Sequence, residues 1–100
     1  MRRYETCTDE QLIEKLRGGD DGIMDFLMEK YKYLVRRRAN TLFLLGGDTD
    51  DLIQEGMIGL FKAVRDYDET QGSFYHFAEL CISRQIYTAI EAAGRKKHGA

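Results

Sequence analysis

The sequence has no proline in 100 residues, where average usage would place about five. Long uninterrupted helices are therefore favoured, and proline-rich, mucin-like and collagen-like chains are excluded. Cysteine is scarce as well. Cys7 and Cys81 form no CxxC pair and no disulfide framework, which fits a reducing compartment. Together with His76 and His98 they show no paired ligand spacing, so no metal and no other cofactor is expected. Cys81 reads most simply as a small buried apolar residue. Long hydrophobic runs are missing too: the longest, Leu42 to Leu45, is far below the roughly 18 residues of a membrane span. The polar start Met1-Arg2-Arg3-Tyr4-Glu5 lacks the apolar run of a signal peptide. The expectation is a cytoplasmic protein without a membrane partner.

What is present describes one globular domain, 43% hydrophobic and 32% charged. The net charge of −2 disfavours a uniformly basic nucleic-acid binder, but it conceals a partition. Residues 1–40 hold nine Lys/Arg against eight Asp/Glu, residues 41–70 two against seven, and residues 71–100 four against two. An acidic middle and a basic end suit either two faces with different partners or plain solvated faces.

The chain divides at glycine pairs. Thr8-Asp9-Glu10-Gln11 fits a capping box ahead of Leu12, Ile13 and Leu16, and Gly18-Gly19 can end that first helix. Asp20 or Asp21 can cap a second, long helix reaching about Leu45, its apolar stripe drawn from Ile23, Phe26, Leu27, Tyr31, Leu34, Val35 and Leu42. After Gly46-Gly47, Thr49 or Asp50 is placed to cap a third helix ending near Tyr67. Within it Gly56, Gly59 and Ala63 align small residues on one stripe, each glycine costing about 1 kcal/mol relative to alanine, so close helix packing is expected there. Ser73 caps a fourth helix, on which Phe77, Cys81, Ile82, Ile86 and Ile90 recur at helical spacing, and Gly94 is expected to end it. These elements predict an all-α fold, a compact bundle of about four helices.

Three groups of residues carry chemistry. On the third helix Asp51, Gln54, Glu55 and Ile58 fall one turn apart, and this acidic and amide edge beside Met57 and Phe61 could receive a basic partner helix. An ordinary amphipathic helix would look the same. Around the loop after it, Tyr67, Phe74, Tyr75 and Phe77 place four of eleven aromatics close together. Such rings can stack unpaired bases at about 1–3 kcal/mol each, or simply pack a core. On the fourth helix Arg84, Gln85, Tyr87 and Thr88 can bond base edges or phosphates, and Arg95, Lys96 and Lys97 can neutralise phosphates or complement the helix dipole. No nucleophile pattern, P-loop or dinucleotide fingerprint accompanies them, so no catalytic residue is assigned and a non-enzymatic protein is expected.

The order of these groups is what is recognisable: Asp51-Leu52-Ile53-Gln54-Glu55-Gly56-Met57-Ile58-Gly59-Leu60, then Lys62-Ala63-Val64, then the aromatic loop, then Arg84-Gln85. It resembles region 2 of the sigma-70 family of bacterial RNA polymerase sigma factors, over about residues 8–98. The stretch Phe77-Ala78-Glu79-Leu80-Cys81-Ile82, with Arg84-Gln85-Ile86 and Lys97-His98, looks more narrowly like the branch serving sporulation and stationary phase. The resemblance implies a transcription initiation factor whose Asp51, Gln54, Glu55, Met57 and Phe61 contact the coiled coil of the beta-prime clamp of RNA polymerase core. It further implies that Phe74, Tyr75 and Phe77 hold flipped bases of the minus-ten promoter element on the non-template strand. Arg84, Tyr87 and Thr88 would then read its upstream edge, with Arg95, Lys96 and Lys97 on phosphate. Primary sigma factors carry a tryptophan pair where this chain has Leu80 and Cys81, which implies weaker melting. The later regions, including a helix-turn-helix for the minus-thirty-five element, are missing, so residues 1–100 are expected to be the region 2 domain at the N-terminal end of a longer factor. An anti-sigma-type regulator is a further candidate partner for the acidic face.

Overall fold

A computed structural model describes residues 2–99, with side chains from Tyr4 to Gly94. After a single turn, α1 (Arg2–Glu5), the chain forms α2 (Asp9–Arg17), α3 (Gly22–Lys30), α4 (Lys32–Leu42), α5 (Thr49–Asp66) and α6 (Phe74–Gly99). Short 3-10 turns at Phe43–Leu45 and Glu69–Gln71 precede α5 and α6. The described residues contain no strand, and the fold is all-α with five helices of more than one turn where about four are expected.

The extra helix arises at Tyr31. The expected long second helix breaks there, φ −99° and ψ 5°, into α3 and α4. The Tyr31 ring is buried edge-on to Phe74, with centroids 5.4 Å apart, and its hydroxyl donates to the Asp9 carboxylate of α2. Long-range contacts thus hold the residue out of helical geometry. Burial and this acceptor raise the Tyr31 phenol well above the usual tyrosine range, so it stays protonated as a donor.

Helix ends follow local chemistry in part. The Thr8 box forms in full, Gln11 N donating to Thr8 Oγ1 at 3.1 Å and Thr8 N to Gln11 Oε1 at 2.9 Å. Ser73 Oγ accepts from His76 N at 3.3 Å, as a cap should. Elsewhere the expected caps shift. Asp48, rather than Thr49 or Asp50, caps α5 by accepting from Asp50 N at 2.9 Å, and Asp21 makes no side-chain cap at α3. Gly94 does not end α6, because a helix accommodates one glycine at modest cost and no turn follows it.

α2 ties both ends of the α5–α6 connection through charge. Arg17 Nη2 donates to the carbonyls of Tyr67 (2.6 Å) and Arg65 (3.1 Å), while Glu10 Oε2 accepts from Phe74 N at 2.7 Å. A cation thus meets the carboxyl end of α5 and an anion the amino end of α6, the signs the helix dipoles favour.

The core draws on every helix longer than one turn. Leu12 and Ile13 come from α2, Ile23 and Leu27 from α3, Leu34, Val35 and Ala39 from α4, Leu60 and Val64 from α5, and Phe74, Ala78, Ile82 and Ile86 from α6. The close approach expected at the small-residue stripe is present. A Cβ on Gly59 would lie 2.7 Å from the Cys81 carbonyl oxygen and 3.0 Å from Ile82 Cα, so α5 and α6 nearly touch backbone to backbone. No helix among the described residues is long and apolar enough to cross a membrane, and none of their acidic, cysteine or histidine side chains cluster to hold a metal.

Candidate protein-docking and nucleic-acid interface

With the α5 glycines turned to α6, the opposite face of α5 is left to solvent. Asp51, Gln54, Ile58, Phe61 and Arg65 line it at three- and four-residue spacing. Ile58 and Phe61 are each 44% exposed, an apolar pair one turn apart behind an acidic and amide leading edge. Glu55 and Met57 do not share this face. Met57 packs partly against the core, and half-buried Glu55 turns to α6, where Gln85 Nε2 donates to its Oε1 at 2.9 Å. Lys62 Nζ completes the bridge by donating to Gln85 Oε1 at 3.1 Å. Below it a cleft of about 220 Å³ is lined by Gly59, Lys62, Asp66, Cys81, Arg84, Gln85 and Thr88.

The aromatic group divides between core and surface. Phe74, expected against bases, is fully buried, edge-on to Tyr31 and to Tyr67 at 5.6 Å. Its place on the core-facing line of α6, four residues before Ala78, leaves it no solvent face for a base. Phe77 is half-buried against Tyr67, ring centroids 5.8 Å apart, and Tyr75 is half-buried with its hydroxyl accepting from Arg37. The Tyr67 hydroxyl donates to the Gly72 carbonyl and pins the loop between α5 and α6.

Along the outer side of α6, Phe77, Leu80, Arg84 and Tyr87 follow one another at helical spacing, Leu80 being 49% and Tyr87 45% exposed. Thr88 is exposed beside Arg84, donating its hydroxyl to the Arg84 carbonyl at 2.9 Å. Cys81, in contrast, turns toward α5, where burial pushes its thiol up and keeps it protonated. Of Leu80 and Cys81, Leu80 alone therefore stands on the outer line. Arg95, Lys96 and Lys97 fall outside the described side chains.

Sequence reasoning placed Ile58 near the acidic edge but did not select it, and omitted Leu80 from the surface. Exposed large apolar side chains on an otherwise polar helix face are the signal for both.

This arrangement defines a helical domain with an exposed acidic and apolar edge on α5 and a polar-aromatic line on α6. The chain belongs to the sigma-70 family, the model of its region 2 matching residues 27–96. It is similar to the RNA polymerase sigma-H factor of Bacillus subtilis (strain 168), 54% identical over 91 residues that cover 90% of this chain and 42% of that protein. The RNA polymerase sigma-H factor of Bacillus licheniformis is 50% identical over 97 residues, 96% of this chain and 44% of that protein. The RNA polymerase sigma-E factor of Clostridium acetobutylicum is 34% identical over 94 residues, 89% of this chain and 38% of that protein. The chain spans less than half the length of these relatives.

Proposed function

We propose that this domain is the region 2 module of a longer initiation factor, serving sporulation or stationary-phase genes. It orients RNA polymerase core and traps melted promoter DNA while the polymerase performs the chemistry. The observation that carries the reading is the pairing of exposed Ile58 and Phe61 with Asp51 and Gln54 on one face of α5. An acidic edge and an apolar ridge together suit a basic, amphipathic coiled coil such as that of the beta-prime clamp. Glu55 and Met57 flank the ridge and would be reached as the partner closes over it.

α6 then serves the non-template strand of the minus-ten element. Phe77 and Tyr75 offer rings at the start of the helix, Leu80 an apolar contact, and Arg84, Tyr87 and Thr88 donors and acceptors for the upstream base pairs. Arg95, Lys96 and Lys97 remain candidates for phosphate by charge alone. The small negative net charge supports this division, since the free domain would not coat DNA indiscriminately and the polymerase supplies the remaining affinity.

The test is retention of a single-stranded minus-ten oligonucleotide by the chain bound to polymerase core. Phe77→Ala should weaken retention by about 1–3 kcal/mol with polymerase binding intact. A variant that melts early but retains DNA would place Phe77 in the core alone. Binding of polymerase without any DNA by the native chain would favour a module that meets only proteins, an anti-sigma-type regulator among them.

A further inference from the structure

Beside its contact with α5, α6 also meets α4, whose eleven residues include Lys32, Arg36, Arg37 and Arg38 and no carboxylate. Two of these arginines lie on the seam with α6. Arg37 Nη2 donates to Tyr75 Oη at 3.0 Å, and its guanidinium stands 5.8 Å from the centroid of the exposed Tyr33 ring. Arg38 Nε donates to Ser83 Oγ at 3.0 Å.

Both anchors are neutral hydroxyls, whereas Arg65 and Lys30 are paired with the carboxylates of Asp66 and Asp9. A hydroxyl fixes the direction of a guanidinium without cancelling its charge. One bond also uses only one of five N–H donors, leaving the planar fork open to an oxyanion. The bond to Tyr75, and more weakly the charge of Glu79 on the same flank of α6, push the Arg37 guanidinium above its ordinary value. Tyr75 and Ser83 are eight residues apart on α6, about 12 Å along the axis, enough for separate phosphates.

Resting on the function proposed above, we infer that the α4–α6 seam at Arg37 and Arg38 is a phosphate-binding site. Its ligand is the sugar–phosphate backbone of the single strand whose bases lie along the outer line of α6. The polymerase-facing ridge is on the face of α5 opposite α6, so both ligands can be held at once.

The chain bound to polymerase core is titrated with a single-stranded minus-ten oligonucleotide, and with an abasic strand of equal length, across a salt series. Arg37→Gln with Arg38→Gln should lower the slope of log affinity against log salt by about 1.4, since each phosphate contact on a single strand contributes about 0.7. At 0.1 M salt affinity should fall about ten-fold or more, equally on the abasic strand, with unchanged melting temperature and polymerase binding. Lysine at both positions should restore the slope. Should the double variant melt early, exposed Arg37→Gln alone is expected to give half the change. A native slope in folded glutamine variants overturns the inference while leaving the DNA-binding reading intact. Absence of DNA binding by the native complex overturns both.

Discussion

Phe74→Ala is expected to destabilise the domain by about 3–5 kcal/mol, the range for emptying a buried aromatic site. The ring has no exposed surface, and Tyr31 and Tyr67 both meet it edge-on, a geometry that adds to simple burial. It joins the Tyr31 break between α3 and α4 to the α5–α6 connection, so its loss loosens three elements together. Against a total stability of about 5–15 kcal/mol for a small domain, the variant should melt tens of degrees lower or fail to fold. Thermal unfolding followed by circular dichroism measures this. A native melting curve combined with lost single-strand binding would instead return Phe74 to the DNA surface.

Gly59→Ala should be the second largest effect, costing about 2 kcal/mol net, an overpacking penalty of about 3 kcal/mol against backbone less the gain in helix propensity. Alanine gains about 1 kcal/mol in helix propensity, but its Cβ would press on the Cys81 carbonyl and Ile82 Cα, backbone atoms that move only if α6 moves. Gly94 supplies the control. It lies within α6 with nothing inside 4 Å of a Cβ, so Gly94→Ala should be neutral or stabilising by up to about 1 kcal/mol. Denaturant midpoints moving in opposite directions for the two variants are the expected result. A stabilised Gly59→Ala would mean that α5 and α6 do not pack this closely.

The local signals in the chain were readable in advance. Thr8 and Ser73 cap as their sequences suggest, and the glycine stripe of α5 predicts the close approach that forms. What was not readable depends on residues far apart. Tyr31 stays in phase with the apolar stripe on both sides, so periodicity carries straight through the break that Asp9 and Phe74 impose. Arg17 and Glu10 bind helix ends 50 and 64 positions away, a distance no capping rule spans.

The candidate site shows the same division. Asp51, Gln54 and Phe61 fall on one exposed face by helical spacing alone, whereas Glu55 leaves it because Gln85 of α6 offers a partner. For the aromatics the difficulty is angular. Phe77 and Cys81 fit a plausible inward line, but the buried one runs Phe74, Ala78, Ile82 and Ile86, rotated by about one position. That small rotation moves Phe74 into the core and gives Phe77 partial access to solvent.

The docking face is tested most directly by measuring affinity for the isolated beta-prime coiled coil of RNA polymerase. The native chain is compared with Asp51→Lys and Phe61→Glu, both at exposed positions whose change should leave folding intact. Glu55→Lys, a natural choice from sequence, would also break the bond to Gln85 and mix two effects. The account predicts measurable binding by the native chain and its loss in both variants, with native melting temperatures. Native affinity in both folded variants, or no binding by the folded native chain, would contradict it.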